Sequence, residues 1–441
     1  MAATNMIIEM IMSKIWSSER KKFDILYNES LSLNENELVQ RLLEKFDAKR
    51  LIAQDSSFSR MTIIPTTGCT HWHRKDTFSG CSFCDNFTNN IEELAYLSAL
   101  KRKNEQTYIK TIRNLIERTR NANDELRVVE HITAHDSLCE EEIPFNGLFD
   151  IFNSLNKNDQ MTYLAFETRA CNVNIDKIKK LKKTCKRIIV ECAMEVGNEW
   201  IRNHWLNKNV TDYQIKEAIS KIHEEHCISD IDIILGLQGL NDMQSKELFI
   251  KSCCKAFEFG ADYIVVSPLV RKDNNLSNIL YKYFKNDSIL LMEGVVKGEY
   301  TGFIEIITVY DSIISLIKNF PQYEKKIIMS PININSYVCA INELYINSIY
   351  RDTAIKLLKG LVHYQKDKDF KALCTLRNDI RGSEYETSYI KAIEKQPSLA
   401  DIKNTLRQVV KKMLKHFYPE SYNDMEILFE KELSCYSDAS Y

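Results

Sequence analysis

Long apolar runs are missing from this chain of 441 residues, and none approaches the roughly 20 residues that cross a bilayer. The stretch Met6-Ile-Ile-Glu-Met-Ile-Met is interrupted by Glu9 and carries no leader-peptide cleavage pattern. An excess of one charge is missing too, since 59 Lys and Arg stand against 61 Asp and Glu. That balance removes the global positive field that draws a protein to a polyanion. Internal repeats and low-complexity tracts are absent. Cysteines are plentiful at thirteen, but their odd number and scattered spacing do not make a secreted disulfide framework. The expectation is a soluble protein of the reducing cytoplasm, with no membrane partner.

The length exceeds the usual single-core limit, and a hydrophobic fraction of 44% suffices for a large core plus an appended region. Three cysteines stand out from the others. Cys69, Cys81 and Cys84 lie in Thr62-Ile-Ile-Pro-Thr-Thr-Gly-Cys-Thr-His-Trp-His…Ser-Gly-Cys-Ser-Phe-Cys-Asp, where an apolar strand gives way to a long loop. Three thiolates can hold three corners of a four-iron cluster and leave the fourth iron open to a small molecule. They can also belong to a structural zinc site, with His71, His73 or His135 completing a Cys3His set. The remaining cysteines, including Cys185, Cys192, Cys253 and Cys254, fall in helical or strand patterns and read as core thiols.

Up to about residue 55 the pattern is helical, as in Leu38-Val-Gln-Arg-Leu-Leu-Glu-Lys-Phe. Beyond it, short apolar runs alternate with amphipathic segments. Residues 61–65, 126–133, 162–167, 187–194, 231–237 and 263–268 are the expected strands, and 173–185, 211–226 and 241–259 the expected helices between them. Strands separated by helices of this length pair in parallel through right-handed crossovers. Six βα units make an α/β barrel or partial barrel. Its chemistry should collect at the carboxyl ends of the strands, and polar residues end each apolar run: Cys69 after the first, then His135, Asp136 and Ser137, Glu167 to Arg169, Glu195, Gly236 and Gln238, and Ser267. Residues 296–441 read as mainly helical. The segment Asp401 to Phe417 has a basic face through Arg407, Lys411, Lys412 and Lys415.

On these residues the chain resembles the radical S-adenosylmethionine (SAM) enzymes. Their usual signature is CxxxCxxC, from which this sequence departs by placing eleven residues between Cys69 and Cys81. The elongator-like group and the radical component of archaeosine synthase also use a longer first spacing within a Gly-Cys…Gly-Cys-x-x-Cys frame, matched here by Gly68-Cys69 and Gly80-Cys81. Further similarity lies in Ile132-Thr-Ala-His-Asp-Ser, Phe166-Glu-Thr-Arg169, Glu195-Val-Gly-Asn-Glu-Trp, Leu206-Asn-Lys-Asn-Val-Thr and Ile234-Leu-Gly-Leu-Gln-Gly. The resemblance implies a partial (β/α)6 radical SAM barrel over residues 56–295, a helical N-terminal extension over 1–55 and a helical C-terminal region over 296–441.

It also implies an enzyme with two cofactors. Cys69, Cys81 and Cys84 would ligate a 4Fe-4S cluster whose fourth iron takes the amino and carboxylate groups of SAM. Phe83 would pack near the adenine, and Asp136 and Ser137 occupy the place of the family's Gly-Gly-Glu motif without its glycines. Glu167 and Arg169 would contact ribose and carboxylate, Glu195 the ribose, and Gly236 would let the backbone approach the adenine, with Ser267 at the last strand end. Reductive cleavage of SAM would give a 5′-deoxyadenosyl or a 3-amino-3-carboxypropyl radical, and the two stay open. Cys339, Cys374 and Cys435 show no CxxC pairing for an auxiliary cluster, and no Asp-x-His-x-x-Gly cobalamin signature occurs. The expected substrate is a small metabolite or natural-product intermediate and the reductant a flavodoxin or ferredoxin. A tRNA nucleoside is the alternative substrate, and a zinc-stapled binding protein the alternative without catalysis.

Overall fold

The computed structural model describes residues 6–46, 51–55, 59–72, 80–85, 90–119, 127–156, 162–330, 332, 334–344 and 350–437. Eight strands form one sheet in chain order: β1 (Ile52–Asp55), β2 (Ser59–Ile63), β3 (Val129–Thr133), β4 (Tyr163–Thr168), β5 (Ile188–Glu195), β6 (Ile228–Leu235), β7 (Tyr263–Pro268) and β8 (Ile327–Met329). Neighbours from β2 to β8 are parallel, and β1 runs antiparallel to β2. Parallel strands that follow chain order through helical crossovers wind in one sense, so the sheet curls into an open half-barrel with β1 and β8 at its edges.

The six expected strands are present, within a few residues of their expected limits where the structure describes them; Leu126 lies outside the described residues. Two more strands flank these six at the sheet's edges. β1 falls in a segment read as helical: the helices Ile7–Ile15, Ser17–Ser32 and Glu35–Lys45 fill most of it, but Ile52–Asp55 pairs along β2. β8 is three residues long and pairs with β7 from within the region read as mainly helical. Neither run is long enough to show a period, so only its tertiary partner makes it a strand.

Strand alternation separates two faces. Leu164, Phe166, Val190, Cys192, Ile231, Ile233, Ile264 and Val266 point outward and are buried in one core with residues of the helices Phe145–Leu155, Asp212–Glu224, Asp242–Glu258 and Ile306–Asn319. Each such side chain contributes about 1.5–3 kcal/mol of burial. The opposite parity faces the hollow, and there the strands carry polar groups. Glu167 is level with Glu191, Ala193 with Asp232, Ile234 with Ser267, and His131 with Ala165. Crossover helices start where the chain supplies a cap: Thr211 with Gln214 and Asn241 with Gln244 each form a reciprocal capping box.

The two ends of the chain meet. Ile7, Ile11, Met12 and Trp16 share a second apolar cluster with Leu406, Val409, Met413 and Phe429, from the helices Ile402–Phe417 and Tyr422–Ser434. The Tyr418 hydroxyl donates to the Met10 carbonyl at 2.8 Å, and the Ile7 amide to Glu432 at 3.1 Å. This cluster takes in Trp72, and Cys69, Phe83 and Cys84 pack against its rim. No helix among the described residues is long and apolar enough to cross a membrane.

Trp16 is the central piece of that cluster: fully buried, with its ring 3.7 Å from that of Trp72. Trp16→Ala should therefore cost about 3–5 kcal/mol of stability, read as a lower urea midpoint. A loss under 1 kcal/mol would mean that the chain's ends do not support the cysteine loop.

Candidate active site

The three sequence-predicted cysteines come together at the mouth of the half-barrel. Burial pushes the Cys69 thiol well above its ordinary range, Glu142, Cys81 and Cys84 add to this, and Arg169 opposes it. These interactions put all three sulfurs, one carboxyl group and one guanidinium within electrostatic reach of each other. No cysteine among the described residues is in a disulfide.

Hydrogen bonds from three other strand ends hold the loop that carries them. The Ser82 amide donates to Leu206 O at 3.0 Å, and its hydroxyl to Trp205 O at 2.9 Å. Gln238 Nε2 donates to Ser82 Oγ at 3.1 Å, the Leu276 amide to Ser82 O at 2.8 Å, and Asn275 Nδ2 to Phe83 O at 3.0 Å. Asn207 Nδ2 donates to Gly80 O at 2.8 Å. Trp205 and Leu206 belong to a π-helical turn, Ile201–Trp205, and its C-cap. Such turns are rare and concentrate at functional sites. Gly80 is required by packing, because a Cβ there would stand 2.4 Å from the Trp72 ring.

Cations line the site. Arg169 follows β4, is half-buried within electrostatic reach of Cys81 and Cys69, and donates to the carbonyls of Lys208 (2.6 Å) and Asn209 (3.2 Å). Lys208 Nζ donates to Glu195 Oε1 at 2.7 Å and lies 5.6 Å from the Phe83 ring centre. Burial works against its charge, yet Glu195 and Cys81 hold its pKa above the usual lysine range. Lys272 pairs with Asp85 at 3.3 Å and lies within reach of Cys84. Glu195 ends β5 at a register shift with φ 65°, a left-handed conformation rare for a residue with a side chain. The irregularity occurs where the strand hands its carboxylate to Lys208.

The fold's own contacts hold Asp136, Ser137 and Gly236. Asp136 and Ser137 are fully buried. Asp136 accepts from Thr168 Oγ1 and Asn172 Nδ2, each at 2.6 Å, while the Ser137 hydroxyl accepts from the Ala134 amide at 3.3 Å. These hydrogen bonds brace the β3 loop. Gly236 has φ 97°, and a Cβ there would come within 3.0 Å of Ile304 and Leu269, so the fold itself demands glycine. Glu167 and Ser267 face the hollow below the rim. The Glu167 carboxylate stands 3.7 Å from His131 Nε2, away from the cysteine loop. Of the proposed zinc ligands, His71 is buried with Nε2 2.5 Å from Asn207 O, His135 Nδ1 is 3.0 Å from Thr66 Oγ1, and His73 lies outside the described residues.

The structure adds residues that motif spacing does not mark. Ser82, Asn207 and Lys208 hold the loop. Glu142 accepts from the Thr70 amide at 2.8 Å and hydroxyl at 3.2 Å. Its Oε2, together with Asn207 Oδ1 and Gln238 Oε1, is buried without a hydrogen-bond partner, as fits residues gathered around a group that brings polar atoms of its own. Below the rim, burial keeps the His131 pKa down. Burial and mutual repulsion raise Glu191 and Asp232, and Asp230 is pushed up to about 7. One signal for this layer was in the sequence: parallel strands are usually apolar throughout, yet β5 and β6 carry Glu191, Asp230 and Asp232.

No family model matches the chain, and no curated protein matches it. Among solved structures it is similar to the radical S-adenosylmethionine methyltransferase TsrM from Kitasatospora setae, with tryptophan substrate and a SAM analogue bound. The identity is 10%, the TM-score 0.36, and the coverage 70% of this chain and 63% of that one. TsrM with cobalamin and a [4Fe-4S] cluster gives 11%, 0.35, 72% and 61%. The cobalamin-dependent S-adenosylmethionine radical enzyme OxsB gives 14%, 0.31, 86% and 59%. The chain spans less than two thirds of each of these structures. A likeness this remote carries no argument about cofactor or substrate.

Glu142 gives a pH test on the metal-free protein. Burial, with Asp136 nearby, pushes its carboxyl up to about 8, against about 4.3 unfolded. The folded state therefore holds a proton that the unfolded state has lost, and the stabilisation present below about pH 4.3 drains away as pH rises through about 8. Glu142→Gln should flatten this part of the stability profile and be the more stable form at pH 8. Parallel wild-type and variant profiles from denaturant melts would remove the assignment.

Proposed function

We propose that this chain is a radical SAM enzyme that binds a 4Fe-4S cluster through Cys69, Cys81 and Cys84 and uses SAM to modify a small molecule. The carrying observation is the gathering of three thiols, with half-buried Arg169 and buried Lys208 beside them, over an open hollow. Three thiolates and a cluster bring net negative charge, which the two cations offset in a site of low dielectric. When bound, the cluster supplies the electron that splits SAM into a carbon radical.

The protein's part is placement. Phe83, between the last two cysteines, offers an aromatic face for adenine, and Glu195 a carboxylate for ribose hydroxyls. Arg169 sits where a guanidinium can take the SAM carboxylate while its remaining donors hold the 208–209 turn. Glu167, Gly236 and Ser267 line or shape the space below, and Asp136 and Ser137 set the β3 loop. Reducing equivalents would come from a flavodoxin or ferredoxin.

A small metabolite or natural-product intermediate is favoured over a tRNA nucleoside by the state of the basic C-terminal helix. Arg407 pairs with Glu430 at 2.5 Å, Lys411 with Glu426 at 2.8 Å and Lys412 with Asp287 at 2.7 Å. A face already neutralised in this way is a poor phosphate track.

The deciding experiment is anaerobic reconstitution with iron and sulfide, reduction with dithionite in the presence of SAM, and mass spectrometry of the products. 5′-Deoxyadenosine or methylthioadenosine is expected, each naming its radical. A colourless protein that holds zinc and leaves SAM whole would overturn the proposal in favour of a zinc-stapled binding protein.

Two variants sharpen it. Cys81→Ala should abolish iron-sulfur absorption and SAM cleavage, while Cys253→Ala, fully buried in the core, should keep both. Equal loss in the two would remove the triad. Arg169→Lys should weaken SAM binding about tenfold or more at unchanged iron content, and unchanged SAM affinity would leave Arg169 a brace for the 208–209 turn.

A further inference from the structure

We infer that the hollow of the half-barrel holds a second, mononuclear site for a divalent transition-metal ion, liganded by His131, Glu167 and Glu191. These residues come from three adjacent strands, β3, β4 and β5, and all face the hollow. Their ligand atoms lie within 4.8 Å of one another. His131 Nε2 is 3.7 Å from Glu167 Oε1 and 3.4 Å from Glu191 Oε2.

Those separations decide between a hydrogen-bonded network and an ion site. Both exceed the 2.7–3.2 Å of a normal N–H···O bond, and His131 Nε2 is buried with no hydrogen-bond partner. Ligand atoms about 2.1 Å from a shared ion stand roughly 3.0–3.4 Å apart in octahedral or tetrahedral geometry, so small side-chain adjustments would bring all three onto one ion. An imidazole nitrogen buried without a hydrogen-bond partner in the chain is costly as it stands, and coordination removes the cost. One imidazole with two carboxylates suits zinc, iron(II) or manganese(II).

The surroundings supply a second indication. Asp232 hydrogen-bonds to Glu191, as outer carboxylates do around ligands. Asp230, level with Glu191 across β5 and β6, is 6% exposed and has Oδ1 without a partner. Three carboxyl groups, of Glu167, Glu191 and Asp230, thus share one level of the hollow, and Asp232 lies at the next. Lys208 is bound to Glu195, and Lys368 acts on Asp230. A divalent ion would balance this charge. Glu167 is the most open of the three ligands, with its side chain 34% exposed against 15% for His131 and 11% for Glu191. The open side leaves a coordination position facing the hollow, where a substrate oxygen or nitrogen could bind.

The site does not depend on the thiol chemistry, so the test is made without it. In a Cys69→Ala/Cys81→Ala/Cys84→Ala protein, cobalt(II) titration should give one equivalent of bound ion with visible ligand-field absorption. Adding His131→Ala or Glu191→Gln should weaken binding at least tenfold. Because the triple variant can fail to fold, the anaerobically reconstituted wild-type protein is assayed for metals by mass spectrometry after incubation with manganese(II) or zinc. It should carry one ion beyond the cluster iron, and its His131→Gln variant none. Absence of that ion, or cobalt binding indifferent to His131 and Glu191, overturns the site. Loss of SAM cleavage in the wild type with the extra ion still bound would sink the radical reading alone.

Discussion

The fit of the Trp72 indole against Gly80 is the contact on which the rest of this structure depends. It joins the two halves of the cysteine loop, since Trp72 lies three residues after Cys69 and Gly80 immediately precedes Cys81. No side chain larger than hydrogen leaves room for it. With the contact made, the π-turn and the β6 and β7 loops can reach the loop backbone, and three strand ends share in fixing Cys81 and Cys84. The far side of Trp72 is covered by Trp16, so the N-terminal helices and the last two helices belong to the same construction. Without that backing, three thiols on an irregular loop would have no defined spacing, and a metal group needs defined spacing before it gains affinity.

Electrostatics and packing act together at this rim. Arg169 is half-buried and Lys208 buried, and desolvation works against the charge of each. They keep those charges because Glu195 and the thiols are close and because backbone carbonyls take the guanidinium protons. The site is thus preorganised for a negatively charged occupant before one arrives. Glu142 is the exception, a carboxyl group buried against the same thiols, and its proton makes the site neutral enough to fold around.

Much of this was legible in the sequence. The six central strands and their helices follow from apolar runs and capping residues, because long elements average over local ambiguity. The cysteine triad and Arg169 stood out by residue type and place after a strand. What did not show was set by tertiary partners. β1 and β8 are too short to carry a period. Asp136 and Ser137 sat at a strand end like true ligand contacts, and only the neighbours Thr168, Asn172 and Ala134 show where their hydrogen bonds go. Ser82 and Asn207 act through backbone carbonyls far away in sequence, which no spacing rule records. The demand that Ile304 and Leu269 place on Gly236 likewise comes from residues distant in sequence.

The acid-rich level of the hollow follows from how half-barrels differ from closed ones. A closed eight-stranded barrel fills its interior with side chains, so polar residues there would lie unpaired. An open curl leaves the interior wide enough for a ligand, and the strand positions that face it are free to carry charge. Here those positions are His131, Glu167, Glu191 and Asp232 rather than valine or isoleucine, while the outward positions of the same strands are apolar without exception in β5. Stability alone gives no reason for this choice, since each carboxyl raises the ionisation cost of the next. A chain that accepts this cost on one face and avoids it on the other fits the cation proposed for the hollow, beneath a rim whose cations fit the cluster proposed there.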